Sequence, residues 1–287
     1  NDRIVVLPVH EVSGNAELAD GNIDFRGDIV IHGNVESGVN IRATGSITID
    51  GVAEACMLEA GKDIILRGGM LGGNKASVKT KGAITAKFFE FTNILCEGDL
   101  QADVLMDCSV ICHGQIRLTG RKGSIIGGKV QAIRGLIATS LGNDAEKRTE
   151  IFVGAGIDVY SRLRVMEKKI ETTREELAKI EEGLEKFEIL SKERGVSYTN
   201  DPRRTSLLRI KIKDSAMLAS DEEEVRKLRI LAESSRGACV SVIQEIYPGV
   251  IINMDELKLA LKNMATGVEF YKLPDKIGTR PCSAGVE

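Results

Sequence analysis

The feature that most constrains this 287-residue chain is a glycine-marked repeat that keeps two apolar columns in step. Its rows read Gly27-Asp-Ile29-Val-Ile31, Gly45-Ser-Ile47-Thr-Ile49, Lys62-Asp-Ile64-Ile-Leu66 and Gly82-Ala-Ile84-Thr-Ala86. They continue as Gly98-Asp-Leu100-Gln-Ala102, Gly114-Gln-Ile116-Arg-Leu118 and Arg134-Gly-Leu136-Ile-Ala138. Within a row, inward-type and outward-type residues alternate with period two, the pattern of a half-buried strand. A second strand precedes each glycine, with columns of its own. These are Ile41 and Ala43, Leu58 and Ala60, Val78 and Thr80, Ile94 and Cys96, Val110 and Cys112, and Val130 and Ala132. After a first step of 18 residues from Ile29 to Ile47, both sets of columns step by 17, 20, 16, 16 and 20 residues.

A period near 17 is too short for helical repeats or propeller blades. It predicts a single-stranded parallel β-helix, a mainly β solenoid in which each row is one coil and like residues stack on like. Seven or eight coils at about 4.8 Å spacing make a rod on the order of 35–40 Å long. The glycine column marks a tight corner where a Cβ is crowded or φ is positive. The longer rows are expected to carry extra corner loops at Gly68–Lys75 and Gly120–Lys129.

After Ile157 the pattern changes. Val159, Leu163, Met166, Ile170, Thr173, Leu177, Ile180, Leu184 and Phe187 step by three and four, a heptad seam flanked by Glu and Lys. Gly183 lies off that seam and costs about 1 kcal/mol of helix stability. A break follows at Arg194–Pro202. Asn200 or Asp201 is placed to cap a second helix, and Pro202 suits its first position. That helix is expected to run to about Ser235, with a looser seam of Leu207, Ile210, Met217, Val225, Leu228 and Leu231. A short connection implies an inserted antiparallel coiled-coil hairpin, with arms on the order of 50 Å. Strand-like sequence resumes at Val240, Val242 and Ile246. The expected domains are therefore a solenoid over 1–156, the hairpin over 157–237 and a β segment over 238–287 that rejoins the solenoid. A long helix near that end would help to cover its open edge.

Composition narrows the function classes. A net charge of -3 is unlike a domain that binds nucleic acid by neutralising phosphates. Aromatics are 4% and Trp is absent, which disfavours stacking platforms. No apolar run reaches the roughly 18 residues of a membrane span. The 6 Cys lie mostly in apolar stretches, which fits reduced thiols in a cytoplasm. No secretory leader is visible, although a chain starting at Asn1 suggests a natural N-terminus further upstream.

With these patterns in place, the chain resembles the β-solenoid and coiled-coil region of the bacterial flagellar assembly protein A family. The matching stretches are Gly21-Asn-Ile-Asp-Phe-Arg-Gly27, Ala86-Lys-Phe-Phe-Glu90, Gly123-Ser-Ile-Ile-Gly-Gly-Lys129 and Tyr247-Pro-Gly-Val250. The order of solenoid, hairpin and short β tail agrees as well. The resemblance implies a cytoplasmic bacterial protein tied to flagellar assembly or its placement in the cell, with a further N-terminal domain in many members. Some members are labelled predicted polymerases, a label that no residue pattern here supports. The fold also resembles bactofilins, which polymerise end to end; that is an analogy of fold.

Four residue groups invite a chemical reading. Gly123–Lys129 has the glycine and lysine spacing of a phosphate-binding loop. Val130 stands where such a loop needs Ser or Thr, and a strand follows instead of a helix. Cys108, Cys112 and His113 lack a second zinc-spaced Cys pair; Cys96, one coil from Cys112, is expected to stack with it in the inward column. His10, His32 and His113 have no adjacent nucleophile and carboxylate, and His32 and His113 fall at outward positions. Finally, Lys87, Phe88, Phe89, Glu90 and Phe91 break the small-residue alternation. Three Phe in four positions cannot all point inward from one strand, so this stretch is the candidate partner contact.

These readings lead to a non-enzymatic scaffold for protein partners, with homo-oligomerisation open and no catalytic, cofactor or metal residues assigned. The alternatives are a self-polymerising filament element and a ligand-binding or enzymatic module.

Overall fold

The computed structural model describes residues 8–118, 120, 122–195 and 197–283, except the side chains of Ile157 and Asp158. It divides into two compact units: residues 1–156 with 234–287, and residues 157–233.

The first unit is a parallel β-solenoid of about eight turns. Each turn has three faces. The first face stacks Ile29, Ile47, Ile64, Ile84, Leu100, Ile116 and Leu136 in register, and Val240 continues the column after the helices. The third face stacks Ile41, Leu58, Val78, Ile94, Val110 and Val130, and then Ile151 and Ile252. Both columns are those read from the sequence. Between them lies a second face that the alternation does not announce. Its inward column runs Ala16, Val35, Ala53, Met70, Phe89, Leu105, Ile125, Leu141 and Ile246. All nine are buried. Two inward residues per rung on the first and third walls and one on the second pack together as a buried core.

For most of its members the glycine column is a matter of crowding, and Gly27 combines crowding with a positive φ of 155°. Gly45, Gly51, Gly82 and Gly114 are absent from the positive-φ residues. Asn34 Oδ1 accepts from the Val52 N–H at 2.8 Å, Asp63 Oδ1 from Ala83 at 2.8 Å, and Asp99 Oδ1 from Gln115 at 2.8 Å. Each of these side chains, with the carbonyl of the rung below, fills the space over a glycine. The corner between the second and third faces does use the left-handed region, with Gly38 at φ 91°, Ala55 at 33°, Phe91 at 47°, Asp107 at 49° and Gly127 at 73°.

Two expectations about loops change. Gly68–Lys75 is not a free loop: Met70–Thr80 is one continuous strand that absorbs its extra residues as a bulge opposite Glu90–Thr92. In the stretch 120–129, Ser124–Ile126 and Gly128–Ala132 are strands joined at Gly127, and positions 119 and 121 fall outside the described residues.

At the C-terminal end of the solenoid unit the chain adds further strands of its own. Cys239–Ile246 and Val250–Met254 extend the parallel stack. Leu257–Ala260 then pairs antiparallel with the latter, and Ala265–Lys272 pairs antiparallel with the former. Ile277–Pro281 adds one more antiparallel strand. Short antiparallel strands end the repeat because the chain can reverse locally where parallel addition needs a whole coil.

The second unit contains α1, which begins at Gly156, and α2. Their ranges are Gly156–Arg194 and Pro202–Ser234. Asp201 Oδ1 caps α2 by accepting from Arg203 N–H at 2.7 Å, with Pro202 at the first helical position. Ile170, Thr173 and Leu177 of α1 are buried, as the heptads predict. The α2 seam differs from its sequence reading. Val225 and Leu228 are buried together with Asp221 and Ala232, whereas Ile210 and Met217 are 42% and 38% exposed. The residues three or four apart that continue the true seam include Lys211 and Asp214, so a reading that followed only apolar residues drifted off it. Gly183 also faces the partner helix: a Cβ there would lie 3.4 Å from Leu207 Cδ1. No described helix is long and apolar enough to cross a membrane.

Candidate functional site: the outer surface of the second face

The three phenylalanines of Lys87–Phe91 have three different placements. Phe89 is the inward residue of its rung, fully buried between Met70 and Leu105. Strand alternation therefore turns Phe88 and Glu90 outward. Phe88 lies beside Gly69 of the preceding rung, where a Cβ would come within 2.5 Å of the ring, and it is half-buried by that contact. Phe91 occupies the left-handed corner at φ 47° and is half-buried. Thr92 Oγ1 donates to the Glu90 carbonyl at 2.9 Å across this corner. Lys87 is exposed at the corner before the face.

The register carries the outward positions along the solenoid. Phe88 sits beside Val104, and Val104 beside Ser124. Leu71, Glu90, Met106 and Ile126 form the neighbouring outward column. Leu71 is 42% exposed, and Phe88, Val104, Met106 and Ile126 are half-buried. The result is an apolar strip on the outside of a short-stranded face. The sequence signal for it was present: an inward residue follows the first apolar residue of most rows by five or six positions, as Ala53 follows Ile47 and Phe89 follows Ile84. Its strands of two or three residues are too short to show alternation.

The outer surfaces of the other faces mix charge pairs with scattered apolar residues, among them Met57 and Ile111 of the third face at 50% and 43% exposure. On the first, His32 Nε2 lies 2.7 Å from Glu11 and Nδ1 lies 2.8 Å from Asp50. Glu11 and then Asp50 hold the His32 pKa above its usual value by these hydrogen bonds. On the third face Arg42 pairs with Glu59 at 2.9 Å. A shallow depression of about 360 Å³ lies around these two residues and Met57.

The remaining chemical candidates resolve into packing. Cys96 and Cys112 are in register and buried, as expected, and their thiols donate to the carbonyls of Gly82 and Gly98 at 3.4 and 3.2 Å. Hydrogen bonding of the Cys112 thiol to Cys96, followed by burial, drives the Cys112 pKa up, and the same contact lowers that of Cys96. Burial pushes Cys56 up to about 12 and Cys108 up to about 11. Such thiols are poor nucleophiles. Lys129 projects from a strand with its ammonium 4.6 Å from the centre of the Phe152 ring. Gly123–Lys129 thus forms a strand, a corner and another strand, without the helix N-terminus that a phosphate loop presents.

The fold and its outer strip define a β-solenoid protein with an inserted helical hairpin. A family model described as the Flagellar Assembly Protein A beta solenoid domain matches residues 8–277, and the chain belongs to that family. No curated protein and no solved structure matches it.

Proposed function

We propose that this protein is a non-enzymatic scaffold in flagellar assembly or flagellar placement, and that it seats a protein partner on the outside of the second face. The observation that carries this reading is the apolar strip of Leu71, Phe88, Val104, Met106 and Ile126, which lie in two adjacent outward columns on consecutive rungs of one face. A rigid stack of parallel strands keeps such a strip flat and in fixed register, so the partner binds without ordering its seat. Lys87 stands at the corner before the strip, Glu90 lies within it between Leu71 and Met106, and Phe91 borders it at the next corner.

The test is site-specific photo-crosslinking in a flagellated host. A photoreactive residue replaces Met106, and a control replaces Thr48 on the first face. Recovery of a flagellar or cell-pole protein from position 106 and not from position 48 is the expected result. Equal recovery from both positions, or recovery from neither, overturns the reading.

A further inference from the structure

The chemistry of that partner follows from the charges on the same face, and the inference rests on the docking reading above. Elsewhere on the solenoid several outward carboxylates are matched across rungs: Glu59 by Arg42, Asp50 by His32 and Arg67, and Asp107 by Lys147. The second outward column of the second face begins differently. It runs Glu17, Glu36, Glu54, Leu71, Glu90 and Met106 on successive rungs. Among the described residues, none of its four carboxylates has an ion-pair partner. The Glu36 carboxylate accepts the Leu18 N–H at 3.0 Å. Rungs are about 4.8 Å apart, and like charges facing one another at that spacing repel. The column holds no Lys or Arg, and Lys75 and Lys87 of nearby rungs stand at the corners. Three uncompensated acids at one end, and at the other aliphatic area interrupted by Glu90, are complementary to a ligand that carries its cations mainly at one end and aliphatics at the other.

We infer that the second face binds a cationic amphipathic helix of the partner, laid along the solenoid axis. A helix advances about 5.4 Å per turn, close to the rung spacing, so residues at i, i+4 and i+7 meet successive rungs. Lys or Arg side chains then reach Glu36 and Glu54, while aliphatic side chains cover Leu71, Val104 and Met106. An acidic helix with the same apolar stripe adds repulsion to an already repulsive column, so charge selects against it.

The experiment uses the full chain and three labelled helical peptides with one leucine pattern, whose polar positions are Lys/Arg, Ser/Gln or Glu. Fluorescence anisotropy is read at low and physiological salt. The cationic peptide is expected to bind about tenfold or more tighter than the neutral one and to weaken as salt rises. Glu36→Gln with Glu54→Gln removes that advantage, and Met106→Asp removes binding of both peptides. Each variant changes exposed or half-buried side chains, and circular dichroism checks that the fold is kept. Equal binding of cationic and neutral peptides, both lost in Met106→Asp, overturns the charge inference and leaves the docking face standing. Binding of no peptide, or binding insensitive to these variants, also overturns it. The crosslinking from position 106 then decides the docking reading separately.

Discussion

Asp28 Oδ1 accepts a hydrogen bond from the Ser46 backbone N–H at 2.7 Å, reaching from one rung to the corner of the next. In doing so it stands over Gly45, where a Cβ would overlap this oxygen and lie 2.7 Å from the Gly27 carbonyl oxygen. The glycine and the aspartate are therefore one device. Gly45→Ala is expected to destabilise by about 2–3 kcal/mol, because one of the two obstructing atoms is backbone and cannot swing away. Asp28→Ala costs about 1–2 kcal/mol through the lost charge-assisted hydrogen bond. The double variant is expected to be less destabilised than the sum, since removing Asp28 clears part of the space. Urea midpoints of the four proteins give the coupling; strict additivity would show that the two positions are independent.

Ala55 offers the opposite substitution. It holds φ at 33° in the corner where Gly38 and Gly127 stand on other rungs. An L side chain in the left-handed region costs about 1–2 kcal/mol, more than the entropy glycine adds to the unfolded chain. Ala55→Gly is expected to raise stability by about 0.5 kcal/mol. A lowered thermal midpoint would contradict this account of the corner.

The first and third faces were legible in the sequence because each presents two inward residues per rung, and Ile29–Ile31 or Ile41–Ala43 shows the alternation on its own. The second face contributes one inward residue per rung, varying in size from Ala53 to Phe89. Without the register between rungs, Phe89 reads as one of three similar phenylalanines. The stretch Lys87–Phe91 was noticed because it broke a pattern, but its parts separate only once strand direction and the Gly69 cleft are known. The α2 seam was misread for a related reason. Its core positions include Asp221, while Ile212 faces solvent at 71% exposure, so apolarity alone pointed to the wrong stripe.

His32 makes the first-face ladder sensitive to pH. Its protonated ring has two N–H donors, one for Glu11 and one for Asp50; the neutral ring has one. Its folded pKa is raised, so the stabilisation is fully present below the unfolded value of 6.5 and is lost as pH rises through the folded value. Thermal midpoints should fall as pH rises from 6.5 through that value, and His32→Gln should flatten this part of the profile. In an NMR titration, Glu11→Gln is expected to move the His32 pKa down toward 6.5. No movement would remove Glu11 as the leading cause.

Thiol accessibility tests the packing of the third face and its corner. Cys56, Cys96, Cys108 and Cys112 are buried, while Cys239 and Cys282 are partly exposed. A membrane-impermeant disulfide reagent under native conditions should modify Cys239 and Cys282, and all six only after unfolding. Mass spectrometry identifies the sites. Rapid native labelling of Cys112 would mean that the rungs open far more readily than a closed stack allows.

The helical unit gives the last prediction. Asp221 is buried on the α2 seam, and the Lys169 ammonium of α1 reaches its Oδ2 at 2.7 Å while staying half exposed. Breaking a pair and replacing its buried member are different operations. Lys169→Met leaves a carboxylate on the seam without its cation and is expected to destabilise the helices by about 1 kcal/mol, reduced from the fully buried case because solvent screens the exposed partner. Asp221→Leu instead puts an aliphatic group four residues before Val225 and one heptad before Leu228, removes the desolvated charge and restores the apolar period. It is expected to be neutral or stabilising, even though it abolishes the same ion pair. Helical ellipticity followed through a thermal melt separates the two variants. Equal destabilisation by both would mean that the pair itself holds the helices together; the opposite signs expected here mean that the aspartate marks register at a cost in stability.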